Sequence, residues 1–226
     1  MNKTLMYTLY WDLKVRDGCQ EEFESLSESQ KEKYIRKEVR KMMHNKGEKL
    51  FRLTYWMRLR QFYPRFSFRW LIATLFYKVE LQRYPIRMNC YPGRGFHIVH
   101  PSYMYLNAEK IGSFFTAYQG VTLGVDKTGG KPVIGDFVTV YTNAVISGPV
   151  TIGDGCVIGA NAFVNQDLPP NTIVIAGGTI LKKRKEDLTQ TQEFAVLNGY
   201  RKKEPVPVSP GSLPPYEEER DFPRYF

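Results

Sequence analysis

A chain of 226 residues with 42% hydrophobic and 24% charged positions is globular, long enough to bury a substantial core, and neither a mini-protein nor a long array. Its three cysteines, Cys19, Cys90 and Cys156, are odd in number and lack CxxC spacing, which argues against a disulfide framework or a zinc knuckle and fits a reducing cytoplasm. The net charge of +9 is unevenly placed, since residues 1 to 85 hold 18 Lys and Arg against 10 Asp and Glu, whereas residues 86 to 181 hold five of each.

In chain order, Asp12, Lys14 and Arg16 interrupt the opening, so no secretory leader is expected. Residues 20 to 45 read as a polar helix with a stripe of Tyr34, Ile35, Val39, Met42 and Met43, stopped at Asn45 to Gly47. Leu50, Leu53 and Met57 continue helically until Pro64, and a further helix is expected over Phe66 to Gln82. The most apolar stretch, Trp70 to Tyr77, falls far short of the ~20 residues that cross a hydrocarbon core. We read residues 1–85 as a small helical domain. Its basic, aromatic character is compatible with peripheral contact at an anionic membrane surface, solvated helix faces being the plainer alternative, and no nucleic-acid partner is expected.

After Tyr84-Pro85 the texture changes. Ile134, Val140, Ile146, Ile152, Ile158 and Val164 recur every six residues, each two positions after Pro132, Val138, Ala144, Val150, Cys156 or Ala162. Alternate side chains of a strand share one face, so two inward positions per six describe one side of a prism, the signature of a parallel β-helix. Gly135, Gly153 and Gly159 follow the large positions and are expected to let the chain turn. The register extends upstream through Ile86, Pro92, Ile98 and Met104, then slips by one residue to Ile111, Ala117 and Leu123. The fold class is mainly β: a β-helix of about five coils over residues 86–181. An eleven-residue step from Leu123 to Ile134 makes Val125 to Pro132 a protruding loop, a place where ligands are commonly served. Residues 182–226, with Pro205, Pro207, Pro210, Pro214 and Pro215, form a C-terminal extension expected to be extended or disordered.

Two of the three histidines, His97 and His100, lie in the first coil. Alternation from Ile98 turns His100 inward, unless a corner after Val99 turns it outward, and periodicity does not choose between them. A structural or surface histidine is the plain alternative to a functional one.

Gly95-Phe-His-Ile-Val-His100, Asn107, Ile111-Gly112, Gln119-Gly-Val-Thr-Leu-Gly124, Pro132-Val-Ile-Gly-Asp136, Ile152-Gly-Asp-Gly, Ile158-Gly-Ala-Asn-Ala and Asp167-Leu-Pro-Pro-Asn together resemble the hexapeptide-repeat acyltransferases. Within them the chain looks most like the serine acetyltransferase branch and its surface-polysaccharide relatives, which also carry a helical N-terminal region with a segment like Leu50 to Arg60. The resemblance implies a left-handed coil, a homotrimer with sites between neighbouring prisms, acetyl-CoA as donor, and His100 as general base. It also implies cofactor contacts at Gly124, Thr142, Ala160 and Gly177, with Lys131, Lys182 and Lys183 meeting the phosphates or standing as ordinary surface lysines.

Departures from that pattern bear on the acceptor. Where serine acetyltransferases carry an aspartate before the histidine this chain has Val99, and where they carry another one coil upstream it has Pro85. Their loop histidine is also missing, since Lys127-Thr-Gly-Gly130 runs straight into Lys131-Pro132. The expectation is therefore acetyl transfer to a sugar hydroxyl in polysaccharide biosynthesis, in the cytoplasm or at the inner membrane face. Serine O-acetylation for cysteine biosynthesis and a non-catalytic trimeric scaffold are the alternatives. A zinc enzyme of the carbonic-anhydrase type would need three converging histidines, and only His97 and His100 are on the coil, so no metal is expected.

Overall fold

The computed structural model describes residues 2–17, 26–45, 49–176 and 180–183, and the chain divides into two compact units with the break between Glu80 and Leu81. The first is helical, with α1 (Lys3–Asp17), α2 (Glu28–His44), α3 (Lys49–Phe62) and α4 (Phe68–Leu81).

The sequence pattern missed α1, because Asp12 interrupts its apolar stripe. In the fold Leu5, Leu9 and Leu13 are buried, and Asp12 joins them because Arg58 grips both carboxylate oxygens, at 2.7 Å from Nε and 3.1 Å from Nη2. Neither side chain retains exposed surface. Removing one partner would strand a buried charge, so each residue depends on the other.

Gln30 Oε1 accepts the Ser27 backbone N–H at 2.9 Å, one half of a capping box, and this fixes the start of α2 at Glu28. Residues 20–25 of the expected helix lie outside the described residues. Ile35 and Met42 are buried along α2, while Lys33, Arg36, Lys37, Arg40, Lys41 and His44 form an exposed basic face. The α4 helix lays Trp70, Ala73, Tyr77 and Glu80 inward. Phe76 stacks on Trp56 at 4.6 Å, the Arg60 guanidinium sits over the Trp70 and Tyr77 rings at 5.7 and 5.4 Å, and Arg52 Nε meets Glu80 at 3.3 Å.

The second unit is a three-sided parallel β-helix. Its first sheet joins β1 (Ile86–Met88), β3 (Met104–Leu106), β6 (Thr122–Gly124), β9 (Val145–Ser147) and β12 (Phe163–Val164). The second sheet joins β4 (Lys110–Ile111), β7 (Val133–Ile134) and β10 (Thr151–Ile152). The third joins β2 (His97–Ile98), β5 (Thr116–Ala117), β8 (Thr139–Val140), β11 (Val157–Ile158) and β13 (Thr172–Ile175), with β14 (Ile180–Lys183) closing it antiparallel. Every predicted inward position from Val138 to Val164 is buried.

Two details differ from the sequence reading. Ile86 pairs with Met104, while Leu106 pairs with Leu123 and Leu123 with Ile146, so Ile86 and Met104 occupy the small-residue column of Ala144 and not the column of Ile146. A lengthened corner after Ile98, described below, displaces Met104, and a shortened path from Met88 to Ile98, ten residues where Ile146 to Ile158 takes twelve, displaces Ile86.

The glycines expected to turn the chain, Gly135, Gly153 and Gly159, lie outside the left-handed region and serve close approach instead. A Cβ on Gly112 would lie 2.4 Å from Gly135 O, and one on Gly153 would lie 2.5 Å from Pro170 N. The left-handed corners belong instead to Gly95, Phe114, Phe137, Gly155 and Asn171 on one edge, and to Tyr103, Gly120, Asn143 and Asn161 on another. Aspartates tie the coils at these corners: Asp136 Oδ1 accepts the Ser113 N–H at 2.6 Å and Asp154 Oδ1 accepts the Asp136 N–H at 2.7 Å.

Candidate active site

His100 stands at the corner where the third sheet passes into the first. Ile98 is level with Ala117 and Tyr105 with Thr122, so the first coil uses seven steps where the next uses five. His100 and Pro101 account for the excess. The His100 backbone has φ 53° and that of Tyr103 has φ 49°, and His100 is exposed. Left-handed backbone at a non-glycine residue is strained by roughly 1–2 kcal/mol, and here it turns the imidazole out of the prism. The corner alternative is the one realised.

The same edge continues coil upon coil. Gly120 N–H donates to Ser102 O at 2.8 Å, Asn143 N–H to Gln119 O at 3.0 Å, and Asn161 N–H to Thr142 O at 2.9 Å. Thr142 and Ala160, expected to line a cofactor slot, therefore share an edge with His100. Gly124 does not: it ends β6 at the far edge of the first sheet, where its carbonyl accepts the Gly148 N–H at 3.1 Å. Lys131 closes the loop that leaves from that second edge. Lys182 and Lys183 pair in backbone register with Ile173 and Thr172 on the last strand of the third sheet, roughly 24 Å from β2 at about 4.8 Å per strand. Gly177 lies outside the described residues.

The loop is an ordered turn. Asp126 Oδ1 accepts the Thr128 N–H at 2.9 Å and its Oγ–H at 2.6 Å, and the Gly129 N–H donates to Asp126 O at 3.1 Å. The Thr128 hydroxyl, first among the causes, holds the Asp126 carboxyl below its ordinary range.

Sequence reasoning missed an aromatic column beside His100. Tyr118 stacks on Tyr141 with ring centroids 4.8 Å apart and an interplanar angle of 23°. Val99 N–H donates to Ala117 O at 2.8 Å, which brings Tyr118 level with the residue before His100. Burial, followed by Tyr141, raises the Tyr118 pKa, so its hydroxyl stays a donor at neutral pH. The signal was the interval between the two tyrosines, which equals one coil once the loop is discounted. Tyr103, 81% exposed, stands at the same corner. His97 lies half-buried on β2, its N–H donating to Phe115 O at 3.0 Å.

An exposed imidazole on a rigid edge, lined by backbone carbonyls and hydroxyl-bearing rings, is suited to moving a proton on a bound hydroxyl. Residues 131–166 match the family described as bacterial transferase hexapeptide (six repeats). Over 115 residues the chain is 36% identical to a serine acetyltransferase of Helicobacter pylori, covering 46% of this chain and 67% of that one. It is 36% identical over 108 residues to that of Bacillus subtilis (42% and 48% covered) and 42% identical over 69 residues to that of Mycobacterium tuberculosis (29% and 30% covered). The chain thus spans between about a third and two thirds of the length of these relatives.

Among solved structures, the serine acetyltransferase of Neisseria gonorrhoeae superposes with a TM-score of 0.53 at 22% identity, covering 83% of this chain and 69% of that one. The soybean enzyme complexed with serine gives 0.53 at 22%, covering 79% and 70%. At that identity the likeness is one of fold: a left-handed parallel β-helix preceded by helices. Together the repeat match and the Helicobacter relative make this chain a member of the hexapeptide-repeat transferases.

Proposed function

We propose that the chain is an acetyl-CoA-dependent O-acetyltransferase in which His100 is the general base. The observation that carries the reading is the lengthened corner, which sets an exposed imidazole on the edge shared by Thr142 and Ala160. His100 takes the proton from the acceptor hydroxyl as its oxygen attacks the thioester carbonyl. Backbone N–H groups hold the oxyanion, and the imidazolium returns the proton to the departing coenzyme A thiolate. Thr142 and Ala160 line the donor slot in this reading. Gly124, Lys131, Lys182, Lys183 and Gly177 then meet more distant parts of the donor, or a donor held between neighbouring subunits. A homotrimer, and a location at a membrane face, belong to the same reading.

The named relatives back L-serine as acceptor, the product feeding cysteine biosynthesis. A sugar hydroxyl of a surface polysaccharide is the second reading. It is favoured by Val99 and Pro85 standing where serine acetyltransferases carry aspartates and by the aromatic residues Tyr103, Tyr118 and Tyr141 around the corner, since ring faces suit the apolar faces of sugars. Following free-thiol release from acetyl-CoA with L-serine, nucleotide sugars and oligosaccharides offered separately, with product mass as confirmation, decides between them. Thiol release with none of these acceptors removes both acceptor assignments, and a chain that does not bind acetyl-CoA removes the donor.

A further inference from the structure

We propose that α4 seats the protein on an anionic phospholipid surface through its unpacked apolar face. The helix is apolar on two sides. Trp70, Ala73, Tyr77 and Glu80 form the buried side, which meets Arg60 and Arg52 of α3, and Phe76 at its margin stacks on Trp56. Phe68 (78% exposed), Leu71 (51%), Leu75 (61%) and Val79 (40%) form the other, with Phe66 (67%) just before it. With Ile72, the helical residues of this set occupy an arc of roughly 100° at 3.6 residues per turn, centred opposite the packed side. An exposed stripe of this length on a soluble surface marks an interaction site.

Charge selects the occupant. Arg69 and Lys78 flank the stripe on its two sides and Arg65 stands at its N-terminal end, while no acidic residue occurs from Phe66 to Val79. Glu80 is buried and held by Arg52. A second copy docking on this face would bring like charges together with no carboxylate in the segment to meet them. An anionic bilayer accepts the same arrangement readily, with the apolar side chains at the acyl boundary and the flanking cations reaching up to phosphate. The exposed basic face of α2, from Lys33 to His44, adds attraction that does not depend on close contact.

This deepens the membrane location proposed above and is independent of acetyl transfer. The test uses the full chain without donor or acceptor, floated with phosphatidylcholine vesicles that contain or lack phosphatidylglycerol. The chain is expected to float only with phosphatidylglycerol, and less as salt is raised. Leu71→Gln with Leu75→Gln should lower partitioning by about tenfold for each side chain, and Arg69→Gln with Lys78→Gln by about fivefold for each cation. Circular dichroism checks that the variants fold, with Phe68→Gln at the exposed helix start as the milder substitute. A wild-type chain that stays in the soluble fraction overturns the proposal. So does a folded L71Q/L75Q variant that floats like wild type, particularly if light scattering shows that it has lost a self-associated state.

Discussion

Ile98 and His100 sit two residues apart and on opposite sides of the prism wall. Ile98 is 3% exposed inside the coil, whereas His100 is exposed on the corner with φ 53°. Strand alternation alone would send both inward. The left-handed turn at His100, on a corner two residues longer than its neighbour, separates a core position from a chemical one.

If that imidazole is the base, His100→Ala should lower kcat by about 10²- to 10⁴-fold while leaving the fold intact. Steady-state kinetics with whichever acceptor the thiol-release assay selects, beside a thermal melt, measures both. Turnover equal to wild type would remove the proposed mechanism and leave the scaffold reading.

The coil spacing makes its own prediction. Gly112→Ala would drive a Cβ to 2.4 Å from Gly135 O and 2.5 Å from Asp136 Oδ1, where backbone of the next coil has no room to retreat. We expect a loss of about 1–3 kcal/mol in denaturant unfolding. Gly129→Ala, in the open loop with nothing within 4 Å, serves as a control for strain at φ 82° without crowding.

In the helical unit, Asp12→Ala removes the carboxylate that accepts from two nitrogens of the buried Arg58 guanidinium and should destabilise by about 3–5 kcal/mol. The double change Asp12→Leu with Arg58→Met should recover most of that loss, because well-packed apolar residues replace buried pairs at little cost. Chemical denaturation of the two variants beside wild type measures both effects.

Cys90 supplies a pH dependence. Burial pushes its thiol up to about 12, with a smaller raising contribution from Glu109, while a backbone hydrogen bond and Lys131 act in the lowering direction. The neutral thiol is favoured in the folded state, so this contribution is present below the ordinary thiol pKa of about 8.5 and is lost as pH rises from there toward 12. Iodoacetamide at mildly alkaline pH should leave Cys90 and the buried Cys156 unmodified until denaturant is added, as read by peptide mass mapping. Rapid native labelling of Cys90 would show that the coil opens there.

Much of the coil was legible because its physics is periodic. From Val138 to Val164 each inward side chain meets the same environment one coil away, so the sequence repeats what the structure repeats. The protruding loop was legible for the same reason, as an eleven-residue gap in a six-residue rhythm. Helix α1 was hidden because one of its charged residues, Asp12, is buried against a partner 46 positions away, and no local pattern encodes such a partner. The Tyr118 and Tyr141 column was hidden by the loop inserted between them.

The six-residue rhythm of the chain specifies the β-helix, its five or so coils and its loop, and resemblance singles out His100. Tertiary structure decided which way that histidine faces, that Thr142 and Ala160 share its edge, and that Gly124 and Lys131 lie on another. Spacing along a chain counts the steps of a strand, whereas the direction of a corner depends on the backbone dihedrals of the residues that turn it and on the coil stacked beside them.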